Sequence, residues 1–291
     1  MIVYLDGQYV DGREARVSIW DGGFLYGDGI YTTLRVYGGR PLDLPAHAAR
    51  LVRHGAAIDL AVPVDEPALE AIIAGLVERN RWHGRDGRVR ITVTRGGDPD
   101  RPLPLDRLHT LTPTVLVTLA PLPPDLAAWQ ADGIGALCLP EGYARGNLPE
   151  IKTINGITTL LAQRKAAAAG CAEALLTGPD GVLLEGSLSN LFLVREGAVA
   201  TPAAAEGAFL AGRTRERVLG LCRELGIPAG EAVLRCADLA GADEVFVASS
   251  VREILPVVRI DGRAVGDGRP GAVTRRLQEG YRRKIAAAGP W

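Results

Sequence analysis

Two periodicities divide the chain. Ile2–Leu5, Asp6-Gly7 and Gln8–Val10 predict a β-hairpin at the start. Gly22-Gly23 and Gly27-Asp28-Gly29 then lead into a β-prone run, Ile30–Tyr37. Helical spacing follows twice, over Pro45–Leu60 (Ala46, Ala49, Leu51, Ile58) and over Glu66–Arg81 (Leu69, Ile72, Ile73, Leu76). Arg88–Thr94 returns to strict alternation, with Arg88, Arg90, Thr92 and Thr94 on one face and Val89, Ile91 and Val93 on the other. Val115–Leu119 predicts a further strand. Three prolines within Pro121-Leu122-Pro123-Pro124 fit neither a helix nor a central strand, so 121–125 reads as a linker. Beyond it, strands are expected near Ile134–Leu139, Ala174–Leu176, Val182–Leu184, Asn190–Val194, Glu244–Ala248 and Val257–Ile260. Helices are expected near Thr158–Ala169, stopped by Gly170, near Thr214–Leu225, stopped by Gly226, and from about Ala272 onward. The pattern describes two α+β domains, 1–120 and 126–291.

Composition narrows the function classes. With 291 residues the chain can bury a substantial core. Its 33 basic and 34 acidic residues leave a net charge of -1, which gives no general attraction to nucleic acid or an anionic membrane. The longest uncharged stretch, Leu108–Pro124, is broken by four prolines and does not read as a membrane span. Ile2–Leu5 follows Met1 with no basic segment before it, so no leader is expected and the setting reads as cytoplasmic. Cys138, Cys171, Cys222 and Cys236 show no metal-ligand spacing, so no metal is expected, and they read as buried small hydrophobes in a reducing compartment.

One imbalance points to chemistry. Only three of the 33 basic residues are lysine: Lys152, Lys165 and Lys284. Lys165 and Lys284 lie in charged helical contexts. Lys152 lies in Leu148-Pro149-Glu150-Ile151-Lys152-Thr153-Ile154-Asn155-Gly156, on a strand end or loop. A lysine amine can form a Schiff base, which an arginine cannot; a buried lysine paired with Glu150 is the alternative. Leu184–Phe192 sets one carboxylate, Glu185, before Ser187, Ser189 and Asn190, which suits a nitrogen heterocycle or is simply a polar turn. Gly212-Arg213-Thr214-Arg215 opens a helix whose amides suit an anion. Ser249-Ser250 ends a strand, and Arg50 lies near His47 on a helix. Arg88 and Arg90 could clamp a carboxylate or face solvent.

Together these pieces resemble the class IV family of pyridoxal-phosphate enzymes, which includes D-amino-acid and branched-chain aminotransferases and aminodeoxychorismate lyase. The likeness runs through Phe24–Gly29, His47–Leu51, Ile151–Asn155, Glu185–Phe192, Gly212–Arg215 and Ser249–Val257. It implies the fold type IV architecture: two α+β domains, pyridoxal 5'-phosphate in the interdomain cleft, and a homodimer. It also implies Lys152 as the Schiff-base lysine and Glu185 as the partner of the ring nitrogen. Arg50, Arg213, Thr214, Ser249 and Ser250 would hold the phosphate, Leu210 would pack on the ring, and Ser189 and Asn190 would belong to the cofactor site. Tyr31, Thr33, Arg88, Arg90, Arg101 and Val251 are the corresponding substrate candidates. The implied activity is amino transfer between a small amino acid and a 2-oxo acid by ping-pong chemistry, with aminodeoxychorismate lyase as the alternative. A cofactor binder without turnover fits poorly with the set Lys152, Glu185 and Arg50. The chain departs from the family where D-amino-acid enzymes carry Arg-x-His, because Asp100 and Pro102 stand there. Thr32-Thr33 also replaces the branched-chain pattern and is closer to that of the lyase.

Overall fold

β-Branched and aromatic residues recur at period two through the first 120 residues, and strands follow from them. In this computed structural model, which describes residues 1–98, 100, 106, 108–143, 148–203 and 209–287, they are β1 (Ile2–Leu5), β2 (Gln8–Asp11), β3 (Gly29–Tyr37), β4 (Arg40–Pro41), β5 (Gly87–Thr94) and β6 (Thr114–Ala120). They form an antiparallel sheet in the order β2-β1-β6-β5-β3-β4. Helices α1 (Gly22–Tyr26), α2 (Leu44–Ala56) and α3 (Glu66–Arg79) complete this part. Val89, Ile91 and Val93 of β5 are buried against Leu51, Leu69, Ile73 and Leu76 of α2 and α3, while Arg88 and Arg90 on the opposite face are exposed.

Helix α2 stops at Ala56, short of the expected Leu60. The Leu60 amide folds back to donate to the Gly55 carbonyl at 2.9 Å. A Cβ at Gly55 would meet the Leu60 oxygen at 2.5 Å, so this return needs glycine.

The second half holds α4 (Leu126–Asp132), β7 (Ile134–Cys138), α5 (Ile157–Ala168), β8 (Glu173–Thr177), β9 (Leu183–Gly186), β10 (Asn190–Arg195), β11 (Ala198–Pro202), α6 (Arg213–Glu224), β12 (Ala229–Ala232), α7 (Cys236–Leu239), β13 (Glu244–Ser249), β14 (Glu253–Ile260), β15 (Arg263–Ala264) and α8 (Ala272–Ala287). The sheet order is β12-β11-β10-β13-β14-β7-β8-β9, with β15 paired to β14. Here β7 runs parallel to both β14 and β8, and β11 runs parallel to β12. Phe192 and Phe246 stack at 4.6 Å in a core shared with Val218, Leu221, Leu277 and Tyr281 of α6 and α8. Helix α5 places Ala162 and Ala166 on Ala174 and Leu176.

The chain divides into two compact units. One comprises Met1–Leu122 together with Ile151–Asn155; the other takes Pro123–Glu150 and continues from Gly156. The sequence division 1–120 and 126–291 puts Lys152 in the second part, whereas its contacts put it in the first. The reason is main-chain pairing: the Tyr31 amide donates to the Lys152 carbonyl at 2.9 Å, and the Ile154 amide donates to Gly29 at 2.9 Å.

Candidate active site

Pro149 and Gly156 keep the segment around Lys152 out of helix, and β3 holds it through an isolated antiparallel bridge from Thr153 to Ile30. Both backbone groups of Lys152 are held. Its carbonyl accepts from Tyr31, and its amide donates to His54 Nδ1 at 3.0 Å. Burial, helped by the charges of Arg50, Arg53 and Lys152, pushes the His54 pKa down to about 4. The ring is therefore neutral near pH 7, with Nδ1 available as an acceptor. The half-buried Lys152 ammonium lies 4.6 Å from the Tyr31 ring centroid, and the Arg90 guanidinium lies 3.6 Å from the same centroid.

The β3–β5 register accounts for that grouping. Tyr31 is opposite Thr92, Thr33 opposite Arg90, and Arg35 opposite Arg88. Tyr31, Thr33, Arg88 and Arg90 thus share one face of the sheet. Arg90 Nε donates to Thr92 Oγ1 at 3.2 Å, which turns the guanidinium toward Tyr31. Arg88 lies one cross-strand pair further on, beside Arg35. Arg101 lies outside the described residues.

Arg50 sits on α2 and is buried at 4% exposure. Its Nη2 donates to Thr32 Oγ1 at 2.7 Å, and that hydroxyl is 2.7 Å from His47 Nδ1. Arg50 Nη2 also lies 3.3 Å from His47 Nδ1, and because a guanidinium only donates, that nitrogen accepts and the His47 proton belongs on Nε2. Thr32 points to the opposite side of β3 from Tyr31, so Arg50 and Lys152 reach this strand from different faces.

In the other unit Glu185 lies on β9, opposite Leu176 of β8, and is 2% exposed. Ser189 makes a contact the sequence did not indicate: its hydroxyl donates to Glu173 Oε2 at 2.8 Å. Glu173 is fully buried. It also accepts from Gln163 Nε2 at 2.9 Å, from the Ser187 hydroxyl, and from Arg252 Nη1 at 3.2 Å. With the Ala174 amide at 3.0 Å, five donors, one of them the charged Arg252, offset the cost of burying this carboxylate. The only sequence signal for it is a lone acid heading the apolar run Ala174-Leu175-Leu176.

Asn190 organises the start of α6. Its Nδ2 donates to the Leu210 carbonyl at 2.8 Å, and its Oδ1 accepts from the Gly212 amide at 3.2 Å. A Cβ on Gly212 would meet that Oδ1 at 2.2 Å, so glycine is required for the turn. Gly212 provides no side-chain cap for α6, whose first-turn amides at Arg213 and Thr214 lack intrahelical partners. Arg213 pairs along the helix with Glu216. Asn190 faces Ala248 across β10–β13, which brings the Ser249-Ser250-Val251 turn beside it. Arg252, just after that turn, is the arginine that reaches Glu173.

Each unit therefore offers a distinct chemistry. One presents an amine on a clamped backbone with an arginine on an aromatic ring. The other presents a buried carboxylate and an uncapped helix start suited to an anion. Among the described residues, no group of three or more His, Cys, Asp or Glu could hold a metal, and no helix is long and apolar enough to cross a membrane.

Comparison with known proteins adds a family. The model for amino-transferase class IV matches residues 29–260. A putative branched-chain-amino-acid aminotransferase from Methanocaldococcus jannaschii is 34% identical over 285 residues, covering 97% of this chain and 96% of that protein. A D-alanine aminotransferase from Bacillus licheniformis is 32% identical over 289 residues, covering 98% and 97%. Among solved structures, the branched-chain aminotransferase of the thermophilic archaeon Thermoproteus uzoniensis with norvaline superposes with a TM-score of 0.85 at 28% identity, covering 99% of this chain and 96% of that one.

Proposed function

The chain belongs to the class IV aminotransferases, and from that premise we propose that it is a pyridoxal-phosphate-dependent enzyme moving an amino group between a small amino acid and a 2-oxo acid. The observation that carries this reading is Lys152, whose carbonyl and amide are both held by Tyr31 and His54 while its amine lies over the Tyr31 ring. Those two bonds fix where the side chain leaves the backbone and set its amine beside the Tyr31 ring. The relatives named for branched-chain and D-alanine substrates support amino transfer over the lyase alternative.

The residues fit the cofactor. When bound, pyridoxal phosphate supplies an aldehyde for amine exchange and a ring that accepts the electrons left at the substrate Cα. Lys152 Nζ would hold the cofactor at its aldehyde and would move the proton at the substrate Cα. Glu185, buried in the sheet, holds a proton at the ring nitrogen. Arg50, the uncapped amides of Arg213 and Thr214, and Ser249 and Ser250 receive the phosphate, with Arg213 adding its own charge. Leu210 packs on the ring, and Asn190 fixes the turn that presents Leu210 and Gly212. Ser189 acts one step back, by satisfying Glu173. Arg90 receives the substrate carboxylate with Tyr31 beside it, and Thr33, Arg88, Arg101 and Val251 complete the substrate surroundings.

A homodimer in the cytoplasm is part of the proposal. Val17, Ile19, Trp20, Phe24, Leu25 and Tyr26 are all exposed within ten positions, Phe24 at 73%, an apolar patch that suits contact with a second copy. In such a reducing compartment the four cysteines would stay thiols. Borohydride reduction of the yellow protein followed by peptide mapping tests the core of the reading. The pyridoxyl label is expected on Lys152, and a label on Lys165 or Lys284 would overturn the assignment. A panel of D- and L-amino acids, each mixed with the same preparation, then identifies the donor by conversion of the bound cofactor to its amine form.

A further inference from the structure

Cys138 ends β7 and Cys236 begins α7, 98 positions later in the chain, yet their sulfurs are 3.3 Å apart. That is van der Waals contact, roughly 1.3 Å beyond a covalent S–S bond. Other bonds, rather than the sulfurs themselves, hold the two ends in place. The Cys138 amide donates to Asp261 Oδ1 at 2.8 Å, and β7 is paired in register with Leu175 of β8. On the other side, the Leu183 amide donates to the Leu234 carbonyl at 2.8 Å, Val182 bridges to Arg235, and Arg235 Nη1 donates to the Asp180 carbonyl at 2.8 Å. A cavity of about 520 Å³ is lined by both cysteines together with Thr177, Asp180 and Asp261. A small solute can therefore reach the pair. The remaining cysteines differ: Cys222 is buried in the core beside Val218 and Leu221, and the Cys171 thiol faces the Ala169 carbonyl.

We propose that Cys138 and Cys236 are a dithiol site that closes to an intrachain disulfide on meeting a small-molecule disulfide and reopens with a dithiol reductant. Burial, reinforced by the neighbouring sulfur and by Asp261, pushes the Cys138 thiol far above its usual range. Cys138 therefore rests protonated, and the first displacement falls to Cys236. The Cys236 sulfur loses its proton to solvent and attacks one sulfur of the small disulfide. That S–S bond breaks, and one small thiol leaves with a proton. Cys138 then gives up its proton, attacks the Cys236 sulfur and expels the second small thiol. Two protein thiols are oxidised by two electrons in all, and the small disulfide is reduced to two thiols. The new bond ties the end of β7 to α7, on the sheet side where β8 and β9 carry Glu173 and Glu185.

The test uses the full-length protein with its cofactor bound, exposed to excess oxidised glutathione and then denatured. Free thiols should fall from four to two, and peptide mapping without reductant should recover a pair joining Cys138 to Cys236. The long closed loop should raise Tm by roughly 5–10 °C, and dithiothreitol should reverse every change. Cys138→Ser should leave a glutathione adduct on Cys236, while Cys236→Ser should leave Cys138 unmodified. The wild-type map decides the matter even if a variant folds poorly. Glutathione on separate cysteines with no joined peptide, a bond through Cys171, or a bond between two chains would each overturn the proposal.

Discussion

His54 illustrates how a single side chain sets conditions for its neighbours. Its ring accepts from the Lys152 amide only while Nδ1 is unprotonated, and burial among positive charges keeps it so. In the unfolded chain the ring regains its usual pKa of about 6.5. Between about pH 6.5 and 4 the unfolded chain therefore binds a proton that the folded chain refuses. Stability falls as pH falls through that window and levels off below it. Urea-unfolding midpoints across the window should slope accordingly, and His54→Gln should flatten the slope; equal slopes in the two proteins would remove His54 from the effect. Arg90 gives a second prediction at this scale. Stacked on Tyr31 and steered by Thr92, it is the cation expected to meet the substrate carboxylate. Arg90→Ala should slow the half-reaction of an amino acid by about 2–5 kcal/mol of lost charge pairing, yet leave that of the decarboxylated amine nearly unchanged. Equal losses for both would make Arg90 structural. Lys152 was legible in the sequence because Pro149 and Gly156 isolate it from helix. Its clamp at His54 was not, since the two residues are 98 positions apart and only the fold pairs them. Glu173 was hidden for the same reason, its donors coming from α5, the turn after β9, and the residue before β14.

Elements were readable where a period had room to repeat. The alternation of β5 and the helical face of α3 emerge in the structure as expected because each repeats its period several times. Of the positions expected on the face of α2, by contrast, only Leu51 is buried in the helix: Ala49 is exposed, Ile58 lies past its end, and the buried face runs through Leu44, His47, Ala48, Leu51 and His54. Helices α1, α4 and α7, at four to seven residues, are too short to show a period. Strands β11 and β12 contain Ala, Gly and Pro rather than a β-branched run, and pairing alone makes them strands. Helix α1 depends on a cap. Asp21, 1% exposed, accepts from the Gly23 amide at 2.7 Å and from the hydroxyls of Thr94 and Thr114, each at 2.8 Å, so one carboxylate joins α1 to β5 and β6. Asp21→Ala removes the cap and strands two hydroxyls, for an expected loss of about 2–4 kcal/mol in urea unfolding. Asp21→Asn, which keeps the cap oxygen, should lose less. A loss below about 0.5 kcal/mol in the alanine variant would show that the three contacts carry no net stability.

At the scale of the molecule, the exposed run from Val17 to Tyr26 leads to a prediction about assembly. Phe24→Asp places a charge where a partner's apolar surface is expected, so sedimentation should shift from dimer to monomer with folding intact. An unchanged sedimentation coefficient would put the contact elsewhere. The balanced net charge of -1 neither drives nor opposes such pairing. A different consequence follows from the placement of Ile151–Asn155. Ile151 is a buried member of the first unit's core although the chain has already entered the second unit by Pro123. During synthesis, the first 122 residues leave the ribosome with β3 lacking the bridging segment that bonds to Gly29 and Tyr31, and with the seat of Ile151 open. That unit reaches its final stability only after the chain has been extended through Asn155, so its maturation is timed by translation of the segment bearing Lys152. The chain cannot finish this core without also installing its amine.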